Sequence, residues 1–200
     1  NNNSVIVPDF LPPYRKPINK LNELNKFNLV FISHLRRSKN LMFVLKLLKK
    51  LPEDFYLTVY GNTDDPSYFN ECMSFISQND MKRRIHLKGL ISHDKIINTF
   101  TDYNFFIFPT NTENFGYVIL ESMLGGCIPI ISKYTPWSEM EDFPGLSLDL
   151  DLQIWSDNLL ALVNNPKKIK EMQNSCENFA NNFVKTSTSK DKFLAHIYDR

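Results

Sequence analysis

The chain has 200 residues, of which 42% are hydrophobic and 22% are charged, and its formal net charge is +1. This composition is that of a globular domain and argues against a disordered, collagen-like or coiled-coil chain. A net charge near zero creates no overall field that would attract nucleic acid or an anionic membrane. The three cysteines, Cys72, Cys127 and Cys176, fit neither a zinc motif nor a disulfide framework, which favours a reducing compartment.

The charges are unevenly distributed along the chain. Residues 1–50 carry ten Lys or Arg against two Asp or Glu, whereas residues 101–150 carry one against seven. A domain with one basic and one acidic segment can recognise a ligand that has both anionic and hydroxyl-rich parts. The alternative is an ordinary solvated surface.

The first 28 residues form a leader or an interdomain linker in our interpretation. Four prolines between residues 8 and 17 prevent a long regular element there. The segment leaves room for one short strand, Val5–Val7.

From residue 29 onward, short apolar segments alternate with amphipathic ones. The apolar segments predict five strands, and the helical periodicity predicts four intervening helices. The strands are expected at Leu29–Ile32, Tyr56–Tyr60, Ile85–Lys88, Phe105–Phe108 and Ile128–Ser132, and the helices at Leu41–Leu48, Tyr68–Ile76, Ser92–Phe100 and Tyr117–Leu124.

The last quarter of the chain is predicted to be mainly helical, with helices at Ile154–Val163 and Lys167–Val184 and a final stretch from Lys190. Apolar strands alternating with helices indicate an α/β fold: a Rossmann-like, doubly wound parallel sheet covered on both faces. We therefore expect a domain over residues 29–150, with a helical C-terminal tail over residues 151–200 packing on it.

Ligands of doubly wound sheets bind at the carboxyl ends of the strands, which directs attention to the loops Ser33–Asn40, Gly61–Pro66 and Pro109–Gly116. In the last loop, Gly116 allows close backbone approach and precedes a helix N-terminus, which attracts phosphate. Glu113 and Glu121 are separated by ~10 Å of helical rise. They suit hydroxyl groups at the two ends of a sugar diphosphate. The alternative is one carboxylate near a helix cap and one in solvent.

The loop after the first strand places three cations and a histidine, Arg36, Arg37, Lys39 and His34, where an anion is expected. Lys39 lies at a helix start, where the helix dipole disfavours a cation. A bound anion would explain its position, and a solvated basic turn is the alternative.

The segment Glu113–Glu121 resembles the Glu-x7-Glu signature of retaining GT-B glycosyltransferases of family 4. The chain is most similar to bacterial capsule and lipopolysaccharide transferases of the "glycosyl transferases group 1" type. The resemblance extends from about Leu29 to about Asp151. Its supporting stretches are Phe31–Leu35, Lys39–Leu41, Tyr60-Gly61, Leu87–Gly89, Phe108–Thr110, Gly126–Pro129 and Thr135–Trp137.

The resemblance implies roles for individual residues. Glu113 would contact the donor sugar, Glu121 the ribose hydroxyls, and Lys39 the phosphates, while the base would lie near Leu90. Glu113, Lys39 and His34 are the implied catalytic residues. The implied donor-binding residues are Ser33, Arg36, Lys39, Gly61, Leu90, Glu113, Asn114, Phe115, Gly116, Tyr117 and Glu121.

His34 departs from the family pattern, which usually has arginine at this position. A neutral imidazole is a weaker phosphate partner than a bidentate guanidinium. Either Arg36 or Arg37 compensates, or the donor binds weakly.

The function implied by the resemblance is transfer of a sugar, with retention, from a nucleotide-diphosphate sugar to a glycan or lipid-linked acceptor. A UDP-sugar is the expected donor, in a hexosyltransferase-type reaction that needs no metal or other cofactor. Asp149 and Asp151 form a D-x-D pattern, but Asp151 suits a helix N-cap better than a metal ligand.

A GT-B enzyme has two Rossmann-like domains, and this sequence accounts for one. We expect the C-terminal, donor-binding half, inactive alone, with the acceptor bound by the absent N-terminal half. No apolar run reaches the ~18 residues of a membrane span. We expect a cytoplasmic location, with at most peripheral contact with the inner face of the cytoplasmic membrane and no nucleic-acid partner. The alternative functions are a non-catalytic nucleotide-binding module, favoured by His34, and a sugar-nucleotide epimerase.

Overall fold

The computed structural model describes residues 26–186, which form one six-stranded parallel sheet with helices on both faces. The strands are β1 Phe27–Ile32, β2 Phe55–Tyr60, β3 Ile85–Gly89, β4 Phe105–Phe108, β5 Ile128–Ser132 and β6 Leu146–Leu148. The helices are α1 Leu41–Lys50, α2 Pro66–Gln78, α3 His93–Phe100, α4 Tyr117–Leu124, α5 Leu152–Val163 and α6 Pro166–Thr186.

The strand order is β3-β2-β1-β4-β5-β6, which is the order of a Rossmann fold. The prediction of a doubly wound parallel sheet is therefore confirmed. The chain reverses its direction across the sheet between β1 and β4. Helix α1, which follows β1, and helix α4, which follows β4, consequently pack on opposite faces of the sheet. Ligands of such sheets bind at the carboxyl ends of the strands at this point.

Alternating residues of the central strands supply two hydrophobic cores. Leu29 and Phe31 of β1 face the core formed with α1, α2 and α5, whereas Val30 and Ile32 face the core formed with α3 and α4. Successive side chains of a strand point to opposite faces, so a strand covered on both faces must be apolar throughout. This explains the uninterrupted apolar runs in the sequence.

Helix α6 contributes to both cores. Ile169 and Met172 pack in the core on the α1 side of the sheet, and Cys176 and Ala180 pack in the core on the α4 side. The long C-terminal helix thus joins the two layers of the domain.

Two boundaries differ from the predictions. Strand β1 begins at Phe27, where it pairs with Phe55 of β2, so the last two residues of the predicted 1–28 leader belong to the sheet. The sequence analysis also missed β6, whose three residues pair with the end of β5. The predicted strand Val5–Val7 and the stretch from Lys190 lie outside the described residues.

Over residues 26–186, no helix combines the length and the apolar character needed to cross a membrane.

Gly61 brings the loops after β1 and β2 into close contact. A Cβ atom on Gly61 would lie 1.9 Å from the carbonyl oxygen of Ser33, and the φ angle of Gly61 is +155°. The Leu35 amide also donates to the Asn62 carbonyl at 2.8 Å. The two loops are therefore held together by backbone contacts that only glycine permits at position 61.

We predict that Gly61→Ala costs about 3 kcal/mol of unfolding free energy, because positive φ and overpacking both contribute. Gly89→Ala is the matched control, since Gly89 also has positive φ, +69°, but no atom lies within 4 Å of its would-be Cβ. The control should cost about 1 kcal/mol. Urea denaturation measures both values, and equal losses would contradict the close contact between the loops.

Candidate functional site

A cavity of about 770 Å³ opens at the carboxyl ends of the strands. Eleven of the twelve site residues predicted from the sequence line it. The loop after β1 contributes Ser33, His34, Arg36 and Lys39, and the loops after β2 and β3 contribute Gly61 and Leu90. The loop after β4 and the start of α4 contribute Glu113, Asn114, Phe115, Gly116 and Tyr117.

The volume is in the range of small-molecule sites. Asn62, Ile91, Ile96 and Val118 also line the cavity and were missed by the sequence analysis. Asn62, Ile91 and Val118 directly follow predicted residues in the chain, whereas Ile96 lies on α3, which carries no predicted site residue. Only the fold shows which neighbours of a motif face the same space.

An ion pair between Lys39 and Glu113 lies in this cavity. Lys39 Nζ is 2.8 Å from Glu113 Oε2, and the two side chains are only 10% and 15% exposed. The ammonium group also lies 5.6 Å from the centre of the Phe108 ring. Two charges withdrawn from water in this way need each other, because an unpaired buried charge is costly.

The second carboxylate oxygen of Glu113 is also engaged. Oε1 accepts the backbone N–H of Asn114 at 3.0 Å. Gly116, with φ of +78°, packs against this side chain, since its would-be Cβ would lie 3.1 Å from Glu113 Cγ. A ligand hydroxyl must therefore share Glu113 with these partners or replace one of them.

His34 belongs to a hydrogen-bonded group at the rim of the cavity. Its Nδ1 is 2.6 Å from Asp64 Oδ2. Asp64 Oδ1 accepts the side-chain amide of Asn62 at 2.8 Å. Asp64 was not predicted as a site residue, because its link to His34 exists only once the loops after β1 and β2 are brought together.

The structure distinguishes between the two arginines that could compensate for the absence of arginine at position 34. Arg37 forms an ion pair with Glu71 of α2, and its guanidinium lies 5.2 Å from the Tyr68 ring centre. Arg36 lines the cavity and is exposed. Arg36 is thus the arginine positioned to meet an anion.

Glu121 is the one predicted site residue that does not line this cavity. It lies inside α4, and its side chain is 10% exposed. Its Oε1 is 3.1 Å from Nε2 of His93, the first residue of α3. Burial raises the pKa of the Glu121 carboxyl, and the charge of His93 opposes that shift. The predicted role of Glu121 toward the ribose hydroxyls stays a prediction, and His93 is the partner that the structure gives its carboxylate.

Trp137 supports the loop after β4 from behind. Its indole N–H donates to the Phe115 carbonyl at 2.5 Å, and its ring is fully buried. The ring centre lies 5.2 Å from that of Phe115 and 5.5 Å from that of Phe183 on α6. The backbone near Gly116 is therefore held by a rigid aromatic cluster.

Residues 26–186 contain no group of three His, Cys, Asp or Glu side chains arranged to hold a metal ion. Asp151 caps α5 by accepting the amides of Gln153 and Ile154 at 2.8 and 2.9 Å, and Asp149 pairs with Lys133 at 2.7 Å. The absence of a metal requirement stays a prediction.

A second cavity of about 730 Å³ lies between β6, α5 and α6. Its charged lining residues, Lys168 and Glu171, are exposed. It lies away from the carboxyl ends of β1 and β4, and none of the predicted site residues lines it.

Fold and cavity together define a Rossmann-like domain of the GT-B type, with its ligand crevice at the point where the strand order reverses. The chain belongs to the glycosyl transferases group 1 family, whose model matches residues 15–142. No curated protein sequence matches the chain significantly.

Solved structures share this fold at low sequence identity. HepE from Anabaena, in complex with UDP-glucose, has a TM-score of 0.76 and 17% identity, over 86% of this chain and 49% of HepE. A glycosyltransferase from Rickettsia africae has a TM-score of 0.74 and 17% identity, over 87% of this chain and 48% of that enzyme. The chain thus spans about half the length of these two proteins.

The third comparison is with a single domain. The C-terminal domain of LpcC, a group 1 family protein from Francisella tularensis, has a TM-score of 0.69 and 19% identity. The match covers 78% of this chain and 85% of that domain. The fold is therefore that of a C-terminal GT-B domain.

We predict that Glu121→Gln stabilises the fold at neutral pH. The folded-state pKa of Glu121 is raised, so the folded protein binds more protons than the unfolded chain, and the stability contribution of this carboxyl falls as pH rises. The gain from glutamine should appear above about pH 4, the usual Glu pKa, and be complete once the folded carboxyl is ionised.

Thermal unfolding of both proteins between about pH 4 and 8 measures this effect. The exposed Glu141→Gln is the matched control and should change little. A stability gain for Glu121→Gln that is independent of pH would show that the carboxyl charge is not its cause.

Proposed function

We propose that this chain is the donor-binding domain of a retaining family 4 glycosyltransferase. The complete enzyme would move a sugar from a nucleotide-diphosphate sugar to a glycan or lipid-linked acceptor. The observation that carries the proposal is the buried Lys39–Glu113 pair inside the cavity at the carboxyl ends of β1 and β4.

This pair suits a ligand that has a diphosphate beside sugar hydroxyls. A diphosphate draws Lys39 towards its oxygens, which leaves Glu113 Oε2 to accept a hydroxyl of the sugar. Both new contacts are charge-assisted hydrogen bonds. When the ligand separates the ion pair, the Lys39 ammonium gains the diphosphate as its partner and the Glu113 carboxylate gains the sugar hydroxyl. Neither charge is left without a partner in the cavity.

Catalysis in this scheme is electrostatic. As the bond between the anomeric carbon and the diphosphate breaks, negative charge develops on the leaving group. Lys39 and Arg36 face the cavity from the loop after β1, and His34 lies beside them. These groups stabilise the departing diphosphate without metal. In a front-face reaction with retention, no side chain needs to act as a nucleophile.

The nucleoside end of the donor is assigned to the other side of the cavity. Leu90 is 74% exposed there and offers an apolar contact for a base. Glu121, with His93, is proposed to hold the ribose hydroxyls. HepE was solved with UDP-glucose and with UDP, and this supports a UDP-sugar as donor.

Sugar transfer is proposed to require a second domain. The match covers about half of HepE, and the C-terminal domain of LpcC alone corresponds to most of this chain. The acceptor would bind in the cleft between the two halves. WaaG, an enzyme of lipopolysaccharide biosynthesis, has a TM-score of 0.67 and supports a bacterial surface-glycan role. The proposed location of the enzyme is the cytoplasm, with peripheral membrane contact at most.

We predict that a nucleoside diphosphate raises the melting temperature of this chain. A ligand at about 100 times its Kd adds about 2.7 kcal/mol of stability. Thermal shift with UDP, GDP, ADP and their glucose esters identifies the base, and UDP is expected to give the largest shift. No stabilisation by any of them would contradict the proposal. Binding without transfer by a two-domain protein would favour the non-catalytic module.

We further predict that Lys39→Ala weakens UDP binding about 10- to 100-fold, the loss of a hydrogen bond to a charged group. The substitution also leaves the Glu113 carboxylate without its counter-ion, so the cavity becomes more negative. Glu113→Gln should retain UDP affinity, because Lys39 stays free for phosphate, but should lose sugar-donor use. Calorimetry with UDP and UDP-glucose measures both effects.

Lys46→Met is the matched control, since Lys46 is exposed on α1 and outside the cavity. It should leave both affinities unchanged. Unchanged UDP affinity in Lys39→Ala would refute the assignment of Lys39 to the phosphates.

A further inference from the structure

Asp64 and Asn62 fix the orientation of His34. His34 Nδ1 lies 2.6 Å from Asp64 Oδ2, and Asn62 Nδ2 donates to Asp64 Oδ1 at 2.8 Å. The Asn62 backbone is itself held, because its carbonyl accepts the Leu35 amide at 2.8 Å. The imidazole is thus attached through one nitrogen to a carboxylate whose two oxygens are both engaged.

This arrangement determines which nitrogen of His34 carries a proton. An ionised carboxylate only accepts hydrogen bonds, so Nδ1 must donate to Asp64. In a neutral imidazole, one nitrogen is a donor and the other an acceptor. Neutral His34 therefore has its lone pair on Nε2, the nitrogen left for a ligand.

Phosphate oxygens also accept hydrogen bonds, so they repel a lone pair on Nε2. The His34 side chain is 60% exposed, so Nε2 is accessible to a ligand. While Nδ1 stays bonded to Asp64, His34 can donate a hydrogen bond from Nε2 to a diphosphate only as imidazolium, with hydrogens on both nitrogens. We propose that binding of the nucleotide-sugar diphosphate is coupled to uptake of one proton from solvent by His34. In this proposal Asp64 is the positioning residue. The inference rests on the proposed function of the cavity.

The charges around His34 agree with uptake on binding. Asp64, on the loop after β2, is bonded to His34, and Arg36 and Lys39 lie with His34 on the loop after β1. Glu113, on the loop after β4, is already paired with Lys39. An arriving diphosphate adds negative charge to this set and shifts the balance towards the imidazolium. An arginine at position 34 would bring its own permanent charge and would bind without a proton.

Calorimetry with UDP-glucose tests the proposal. Both phosphates of this donor are esterified, so the ligand has no phosphate group that titrates near neutral pH. Titrations at one pH in two buffers of different ionisation enthalpy give the number of protons taken up. At a pH where the imidazole of the unliganded chain is neutral, the expected number approaches one, and the affinity falls up to tenfold for each further unit of pH.

Two variants identify the group that takes up the proton. His34→Arg should bind UDP-glucose with about one proton less taken up than the parent chain at the same pH. Asp64→Asn should reduce the uptake, because an asparagine amide can donate to Nδ1 and permit a neutral tautomer with hydrogen on Nε2. The matched controls are His86→Arg and Asp157→Asn, both outside the cavity, and they should behave as the parent chain does.

The outcomes are distinguishable. Binding by the parent chain without proton uptake, or uptake that persists in His34→Arg, overturns the proposal and leaves the proposed function intact. If neither the parent chain nor His34→Arg binds UDP-glucose, the proposed function fails, and this inference fails with it.

Discussion

A buried pair of opposite charges, Lys39 and Glu113, determines how the crevice of this domain can be used. Each charge has been removed from most of its water, so each needs a partner of opposite sign or a hydrogen-bonding group in its place. The two residues come from loops on different strands, and the sheet brings them together. A ligand that separates the two charges must offer an acceptor to the ammonium and a donor to the carboxylate.

The rest of the fold holds this pair in position. Gly61 permits the backbone contact between the loops after β1 and β2, and Gly116 leaves space for the Glu113 side chain. Trp137 holds the Phe115 carbonyl from the opposite side. Glu121 does not stabilise the fold in this way. Burial raises the pKa of its carboxyl, so ionising this carboxyl in the folded protein costs stability. A strongly shifted pKa marks a candidate for a functional position, and Glu121 lies on the same helix as the cavity residues Tyr117 and Val118.

The sequence was informative where a local pattern decides the structure. Apolar strand runs located the sheet, and the rule that ligands bind at the carboxyl ends of strands located the crevice. The sequence was not informative where a contact depends on two segments that are far apart in the chain. The Asp64–His34 and Glu121–His93 contacts join residues that no spacing rule relates. Strand β6 was missed because three residues have too short a pattern, and their pairing with β5 alone makes them a strand.

Helix α6 has a mechanical consequence for the crevice. Its Phe183 ring packs against Trp137, whose indole N–H donates to the Phe115 carbonyl in the loop after β4. The same helix is anchored at its other end, through Ile169 and Met172, on the far layer of the sheet. The support of the loop after β4 therefore includes the packing of α6, a helix that begins about fifty residues further along the chain.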